Sequence, residues 1–507
     1  MKKGKRKKMS QEKGLKKTGK GNREKFGSRI GFILVSAGCA IGIGNVWKFP
    51  YLCGQYGGAA FILLYLIFLL ILGIPVMVTE FAIGRNAQKS AARAFDMLEP
   101  KGSRWHHLKW ISILGCYMLM MYYTTVCGWM LDYFVRQLRG EYVGKRPEEI
   151  APGFTSMLGN VGELSSWTIL VCVIGFVICF FGVEKGVERV TKYMMLALLA
   201  LMVILAVHSV FLKGAESGIE FYLVPDFKAM AKQGWGNVIY AAMSQAFFTL
   251  SIGIGAMLIF GSYLDKDRSL TGEAVIVTSL DTAVALMAGF IIIPACFAYG
   301  IAPDAGPSLI FITIPNLFSQ MAGGQFWGGM FFLFLSFAAL STVVAVFENI
   351  IAYDMDMFGW SRKKSVLVSA ILVMLLSMPC VLGYNLWSDF APLGTGSSVL
   401  DLEDFIVSNN LLPLGSLAFV LFCTRKNGWG WDAFIQEADT GKGLKLSPKL
   451  RIYMTWVLPV IILLIFFKGY YDKFCNQGLA QLIGWMTFAV LLVAFILWCS
   501  LSKKRGE

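Results

Sequence analysis

Twelve apolar runs, each near the length that crosses a bilayer as a helix, set the first limit on what this 507-residue chain can fold into. They fall at roughly 28–50, 59–84, 107–137, 166–182, 188–212, 235–263, 271–300, 326–357, 365–384, 400–424, 452–470 and 478–501. A soluble core of this length has no use for 56% hydrophobic residues, 15% charged residues and a mean hydropathy of +0.62. The composition therefore reads as an all-α integral membrane protein. Most of the 11 cysteines, among them Cys39, Cys116, Cys172, Cys296 and Cys499, lie inside the runs as small hydrophobes, with no zinc spacing or disulfide framework. An enzyme is not indicated: no nucleophile–base pair or phosphate loop appears, and His106, His107 and His208 all sit near span ends.

Orientation follows from Lys and Arg in the short loops. The basic tail over residues 1–27, the 85–106 loop (Arg85, Lys89, Arg93, Lys101, Arg104), Lys185 with Arg189 and Lys192, residues 361–364 and residues 503–505 all fall on one side. Loops 301–325 and 385–399 carry no Lys or Arg. Both termini are thus expected in the cytoplasm of a multi-pass inner-membrane protein. The net charge of +14 then points to anionic lipid or solvent as what the tail meets, not nucleic acid. The first run follows a long basic tail and lacks a small-residue cleavage pattern, so it is read as a retained span.

Two of the runs share a defect. "AIGIGN" at Ala40–Asn45 is echoed by "SIGIGA" at Ser251–Ala256, and neither copy has the third glycine or the strand that a nucleotide-binding loop needs. Taking spans 1–5 (28–234, with the following loop) and 6–10 (235–424) as blocks puts each copy in the first span of its block. Five spans apart, the copies enter from opposite sides, which is the mark of an inverted-topology repeat with two unwound helices meeting near the midplane. Glycines in membrane helices also serve close packing. Two copies at matching positions, flanked by Asn45 and by Ser244, Gln245, Thr249 and Ser251, favour unwinding, because stranded carbonyls survive in hydrocarbon only where ligands or protein satisfy them. The remaining 425–507 segment holds a loop, spans 11 and 12 and a short tail; homodimerisation and lipid packing are open alternatives for these two spans.

The run "SAGCAIGIGNVWKFPYLCGQYGGAAF", with "GIPVMVTEFAIGR", "SQAFFTLSIGIGA" and "FAALST", resembles the neurotransmitter:sodium symporter family in its bacterial amino-acid branch, over roughly residues 23–470. The resemblance implies sodium-coupled uptake of an amino acid. It implies a first sodium held by the Ala40 carbonyl, Asn45, Thr249, Asp281 and the substrate carboxylate. A second would lie among carbonyls of Gly38, Ile41 and Ala338 and hydroxyls of Ser341 and Thr342. Asp281 is an acid in mid-membrane, where a functional role is the default. Many family members have Asn there and need chloride; the carboxylate here implies that chloride is not required. Glu80, a second in-membrane acid, either reaches the interface or accepts hydrogen bonds from the unwound sixth span.

By the same resemblance, Gly42 and Gly44 present backbone N–H groups and a half-helix N-terminus to a carboxylate, with Tyr123 as a further donor. Gly42 stands where monoamine carriers have Asp, which argues for an α-amino acid. Carbonyls near Ala40, Phe248 and Ser251 would take the ammonium. Leu119, Phe248, Ile254, Thr342 and Val346 would line a neutral, hydrophobic side-chain subsite, and Cys39 replaces a polar Asn. The outer gate would set Lys48 against Asp404 under a Phe248 lid, and the inner gate would pair Arg23 with Asp356 beside Phe26 and Tyr263. A Gly-X9-Pro motif linked to unwinding of the fifth span keeps Gly186 but has Leu196 in place of the proline. A channel or a non-transporting amino-acid sensor on the same fold is the alternative reading, since either would keep the pocket.

Overall fold

A backbone in hydrocarbon must satisfy its own polar groups, and this chain does so with helices. The structure, a computed structural model, describes residues 24–300 and 309–501. Among the described residues there is no strand, only a single bridge between Arg268 and Lys442. In chain order, α1 (Arg29–Ala40) and α2 (Gly44–Gln55) form a pair bent by 57° and are followed by α3 (Ala59–Ala87) and α4 (Trp105–Leu138). Then come α5 (Val161–Phe180), α6 (Val183–Val210), the short pair α7 (Trp235–Thr249) and α8 (Ala256–Gly261), α9 (Leu270–Ala298) and α10 (Gly324–Phe358). The series ends with α11 (Arg362–Leu382), α12 (Val399–Thr424), α13 (Leu450–Phe474) and α14 (Leu479–Ser500). Each of the twelve apolar runs holds one of these helices or one broken pair.

Helix ends follow local chemistry. Ser28 caps α1 by accepting from Gly31 N at 3.0 Å. α10 stops at Gly359 in the left-handed region (φ 68°), and Ser361 restarts the chain by capping α11. The 301–325 loop, read only as free of Lys and Arg, carries an apolar helix at Leu309–Gln320, and the loop after α12 carries Trp431–Ala438.

α10 is the central post, buried through most of its length against α4, α6 and α1. α3 and α8 touch backbone to backbone: a Cβ on Gly84 would lie 1.8 Å from Leu258 O, and one on Gly261 would lie 2.5 Å from Phe81 O. α13 and α14 are peripheral, packed on α12 and presenting Val460, Leu464, Val490 and Leu491 outward.

Both expected breaks are present. In the first, Ile41 is extended (φ −70°, ψ 103°) before the helix resumes at Gly44. In the second, Leu250–Gly255 is a run of turns in which Ser251, Gly253 and Gly255 have φ of 50°, 100° and 75°. The last two are conformations that glycine alone adopts without strain.

Candidate functional site

Each break strands peptide groups in the middle of the bundle, and neighbouring helices take them up. Ile254 O accepts from Ser112 Oγ at 2.5 Å, Asn349 Nδ2 at 3.4 Å and Cys116 Sγ at 3.6 Å. Gly44 O accepts from Gln245 Nε2 at 3.0 Å, and Ser251 Oγ joins the two breaks by donating to Cys39 O at 3.2 Å. Glu80 settles between its two readings: it is fully buried, and its carboxylate accepts from Gly253 N at 2.5 Å and Leu258 N at 3.4 Å, so it does not reach the interface.

Around the first break, Asn45 Oδ1 accepts from Gly42 N at 3.0 Å, while its Nδ2 donates to Thr249 Oγ1 at 3.0 Å and Asp281 Oδ1 at 2.8 Å. Thr249 Oγ1 donates to Asp281 Oδ2 at 2.9 Å. Asn45, Thr249 and Asp281 therefore meet in one buried knot, beside which Ala40 lines a cavity. A second knot gathers oxygen alone. Ser341 Oγ donates to Gly38 O and Ala338 O, both at 2.9 Å, and Thr342 Oγ1 lies 3.2 Å from Ile41 O and 3.3 Å from Gly38 O. Carbonyl, hydroxyl and carboxylate oxygens are the hard donors that an alkali cation takes, and both knots offer them without a soft ligand.

Between the knots lies a cavity of about 20 Å³, room for little more than a water. Gly42, Gly44, Tyr123 and Thr342 form its polar side, with Ser251 beside them. Leu119, Phe248 and Ile254 form its apolar side together with Val407 and Leu412 of α12, which sequence reasoning did not single out. Val346 is fully buried but not on this wall. Ile43 N donates to Tyr123 Oη at 3.1 Å, which leaves the tyrosine proton for another acceptor. Any side chain at Gly42 would collide with that arrangement, its Cβ falling 2.3 Å from Tyr123 Oη and 2.8 Å from Thr342 Oγ1.

Phe248 separates this cavity from a larger one of about 250 Å³ lined by Lys48, Asp401 and Asp404. The outer pair differs from expectation. Lys48 Nζ sits 4.2 Å over the Phe248 ring, whereas Asp404 Oδ1 accepts from Tyr122 Oη at 3.0 Å and Ser408 Oγ at 2.7 Å. Among the described residues no ion pair joins Lys48 to Asp404. A lysine on a flexible stem takes the aromatic face within reach, where a guanidinium fork would favour the carboxylate.

The basic face is tied shut. Arg23 lies outside the described residues, so the expected inner pair cannot be placed on it; Asp356 is held by Lys89 Nζ at 3.0 Å and Ser90 N at 2.8 Å. Phe26 stands edge-on to Tyr263, their ring centres 5.5 Å apart. Tyr263 Oη donates to Glu348 Oε1 at 2.8 Å, and Arg362 grips the same carboxylate with two bonds of 2.8 Å while reaching Glu24 at 3.1 Å. Glu348 was legible by the rule that singled out Asp281, as an acid inside the eighth apolar run. Gly186 sits in a π-helical turn, Val183–Glu188, where a Cβ would lie 2.1 Å from Ile178 O, and Leu196 faces outward.

Glu437, in the loop after α12, is a further staple: Arg85 Nε and Lys266 Nζ each donate to it at 2.7 Å and Asn86 Nδ2 at 2.9 Å. Burial pushes its carboxyl up, but the bonds from Lys266, Asn86 and Arg85 outweigh burial and hold it below the ordinary glutamate value. A depressed folded-state value gives stability that is present above the unfolded value and lost as pH falls through the folded one. Thermal unfolding followed from pH 7 down to pH 3 should therefore show an acid loss in the parent that is reduced in Glu437→Gln. Equal acid losses in both proteins would reject the staple.

The model of the sodium:neurotransmitter symporter family matches residues 23–150 and 141–504. The chain belongs to this family. This symporter is 35% identical to an uncharacterised sodium-dependent transporter of Bacillus subtilis over 79% of its own length and 87% of that chain. It is 33% identical to one of Haemophilus influenzae over 88% of its length and 98% of that chain. Its structure matches the crystal structure of MhsT in complex with L-phenylalanine with a TM-score of 0.79 and 37% identity, covering 88% of this chain and 100% of that one. The protein is accordingly a multi-pass sodium-dependent transporter and not an enzyme.

Proposed function

We propose that this transporter is a secondary active symporter that uses the sodium gradient to import a neutral hydrophobic or aromatic amino acid by alternating access, without chloride. The observation that carries the reading is the knot of Asn45, Thr249 and Asp281 beside a pocket whose apolar walls, from Leu119 to Leu412, bear no charge. Sodium is cargo here. Ala40, Asn45, Thr249 and Asp281 would hold one ion, and Gly38, Ile41, Ala338, Ser341 and Thr342 a second. Asp281 supplies the negative charge that a chloride would otherwise bring. Tyr123 keeps a proton for the substrate carboxylate, and Gly42 leaves that carboxylate room against the backbone N–H groups. The phenylalanine bound in MhsT supports an aromatic or large aliphatic side chain.

In this reading α1–α3 and α7–α9 rock against α4–α6 and α10, Phe248 bars the outer cavity, and residues 28–234 and 235–424 are the two repeats. Both termini lie in the cytoplasm. Equilibrium binding of labelled amino acids to the purified protein, in sodium and in choline buffer, tests the coupling. Binding of one hydrophobic class that requires sodium is expected; binding indifferent to sodium would remove the shared-ion mechanism. Accumulation in proteoliposomes against a gradient, in gluconate as well as in chloride, separates a symporter from a channel or a sensor.

A further inference from the structure

Where α12 leaves the apolar layer, the chain passes through Arg425 and Lys426, and α13 re-enters it through Arg451 and Thr455. A cleft of about 500 Å³ lies between these two segments and the end of α14. Its charged lining is three cations and no acid. Arg425 is half-buried, and among the described residues no carboxylate pairs with it; its guanidinium instead stacks 4.1 Å from the centre of the Trp456 ring. Burial disfavours that charge. Arg451 has one long contact, 3.9 Å to Asp432, whose carboxyl is 92% exposed. Thr455 Oγ1, also at the cleft, is buried with no hydrogen-bond partner. A half-buried cation with no carboxylate and a buried hydroxyl with no hydrogen-bond partner together describe a place for an anion.

The cleft opens onto apolar surface. Ile452, Trp456 and Leu501 at its mouth are 72%, 58% and 70% exposed, and exposed Val460 and Leu464 continue the strip along α13. A small soluble anion would leave this strip uncovered. A molecule with a charged head and two apolar chains matches both halves. We infer that this cleft binds the phosphate of an anionic phospholipid, with its acyl chains laid along the outer face of α13. The site lies on the face assigned to the cytoplasm by its positive charge, and it gives α13 and α14 a task separate from the cavity at the breaks.

The test uses the full chain, purified and delipidated, then given phosphatidylglycerol and phosphatidylcholine of identical acyl chains in equal amounts, with the retained lipids counted by native mass spectrometry. Phosphatidylglycerol should be retained with a preference of about thirtyfold, the value for two basic groups at a membrane surface. Arg425→Gln with Arg451→Gln should erase most of it. Lys7→Gln with Lys8→Gln in the tail removes the same charge and should leave it. Excess inorganic phosphate should not displace the lipid. Equal retention of the two lipids by the parent protein would overturn the inference, as would an equal loss in the tail variant. Displacement by inorganic phosphate would make the cleft a soluble-anion site and overturn it too. The parent's lipid preference and the phosphate competition decide the matter even if the double variant does not fold.

Discussion

Asp281→Asn is expected to raise the sodium concentration needed for half-maximal amino-acid binding by at least about a hundredfold in chloride-free buffer, and chloride should recover part of that loss. The carboxylate is fully buried, with its two oxygens bonded to Asn45 at 2.8 Å and Thr249 at 2.9 Å. A sodium ion entering that knot exchanges its hydration for neutral oxygens and, from the protein, one formal negative charge, to which the substrate carboxylate adds a second. Unit charges 4 Å apart at an effective dielectric of about 20 attract by about 4 kcal/mol, roughly a thousandfold in affinity, from which desolvation of the acid takes a share. Asparagine keeps the shape and removes the charge; its oxygen can still accept from Asn45, while its NH2 makes Thr249 the acceptor in place of the donor. Sodium titrations of labelled-ligand binding, in gluconate and in chloride, read both effects. A half-saturating sodium concentration within threefold of the parent's would show that Asp281 is not an ion ligand, and a loss that chloride leaves untouched would show that it does not stand in for a halide.

Gly253→Ala should be strongly destabilising. Its φ of 100° disfavours any side chain, and the added Cβ would fall 2.1 Å from Leu412 O, a backbone atom that cannot swing aside. The amide of the same residue donates to Glu80, so moving the chain away from α12 also breaks a bond to a buried carboxylate. Left-handed strain alone costs about 1–2 kcal/mol, and a lost buried partner about 1–3 kcal/mol more. Gly255→Ala is the control: φ is 75°, and its Cβ would meet the Ser112 hydroxyl at 2.4 Å, a side chain that can rotate away at the cost of its bond to Ile254 O, which Asn349 also serves. Thermal unfolding in detergent should therefore place Gly253→Ala well below Gly255→Ala. Equal midpoints would mean that the break is loose enough to absorb either methyl.

The helices and their two interruptions were legible because hydrocarbon leaves so few options. Apolar length marks a span, and a paired Ile-Gly-Ile-Gly marks the places where the spans fail. Asn45, Thr249 and Asp281 each stand out as polar inside an apolar run, but the family resemblance is what gathered them into one set, since their meeting depends on helices 32 and 236 residues apart along the chain. The closure of the basic face was less legible. Arg362 lies at the start of α11 and grips Glu348 in α10 and Glu24 before α1; nothing in local sequence pairs three such charges when the same loops hold many others. Val407 and Leu412 were missed for the opposite reason, since an aliphatic residue in an apolar helix looks the same whether it faces a cavity or a neighbour. The Lys48–Asp404 pair was drawn from the family resemblance, whose usual residue there is Arg, and here the Phe248 ring takes the lysine.

Glu80 spans the second break from end to end, bonding Gly253 inside the turn and Leu258 beyond it. A single rigid carboxylate on α3 thus ties the unwound turn to the half-helix that follows. The joint cannot flex as two free rods about a glycine pivot. Whatever swings α8 must carry α3 along with it, and the glycine seam between them, with Gly84 against Leu258 and Gly261 against Phe81, leaves no slack for one to slip past the other. In the rocking motion proposed above, α3 and α8 would therefore travel as one welded pair, with the hinges at the far edges of that pair.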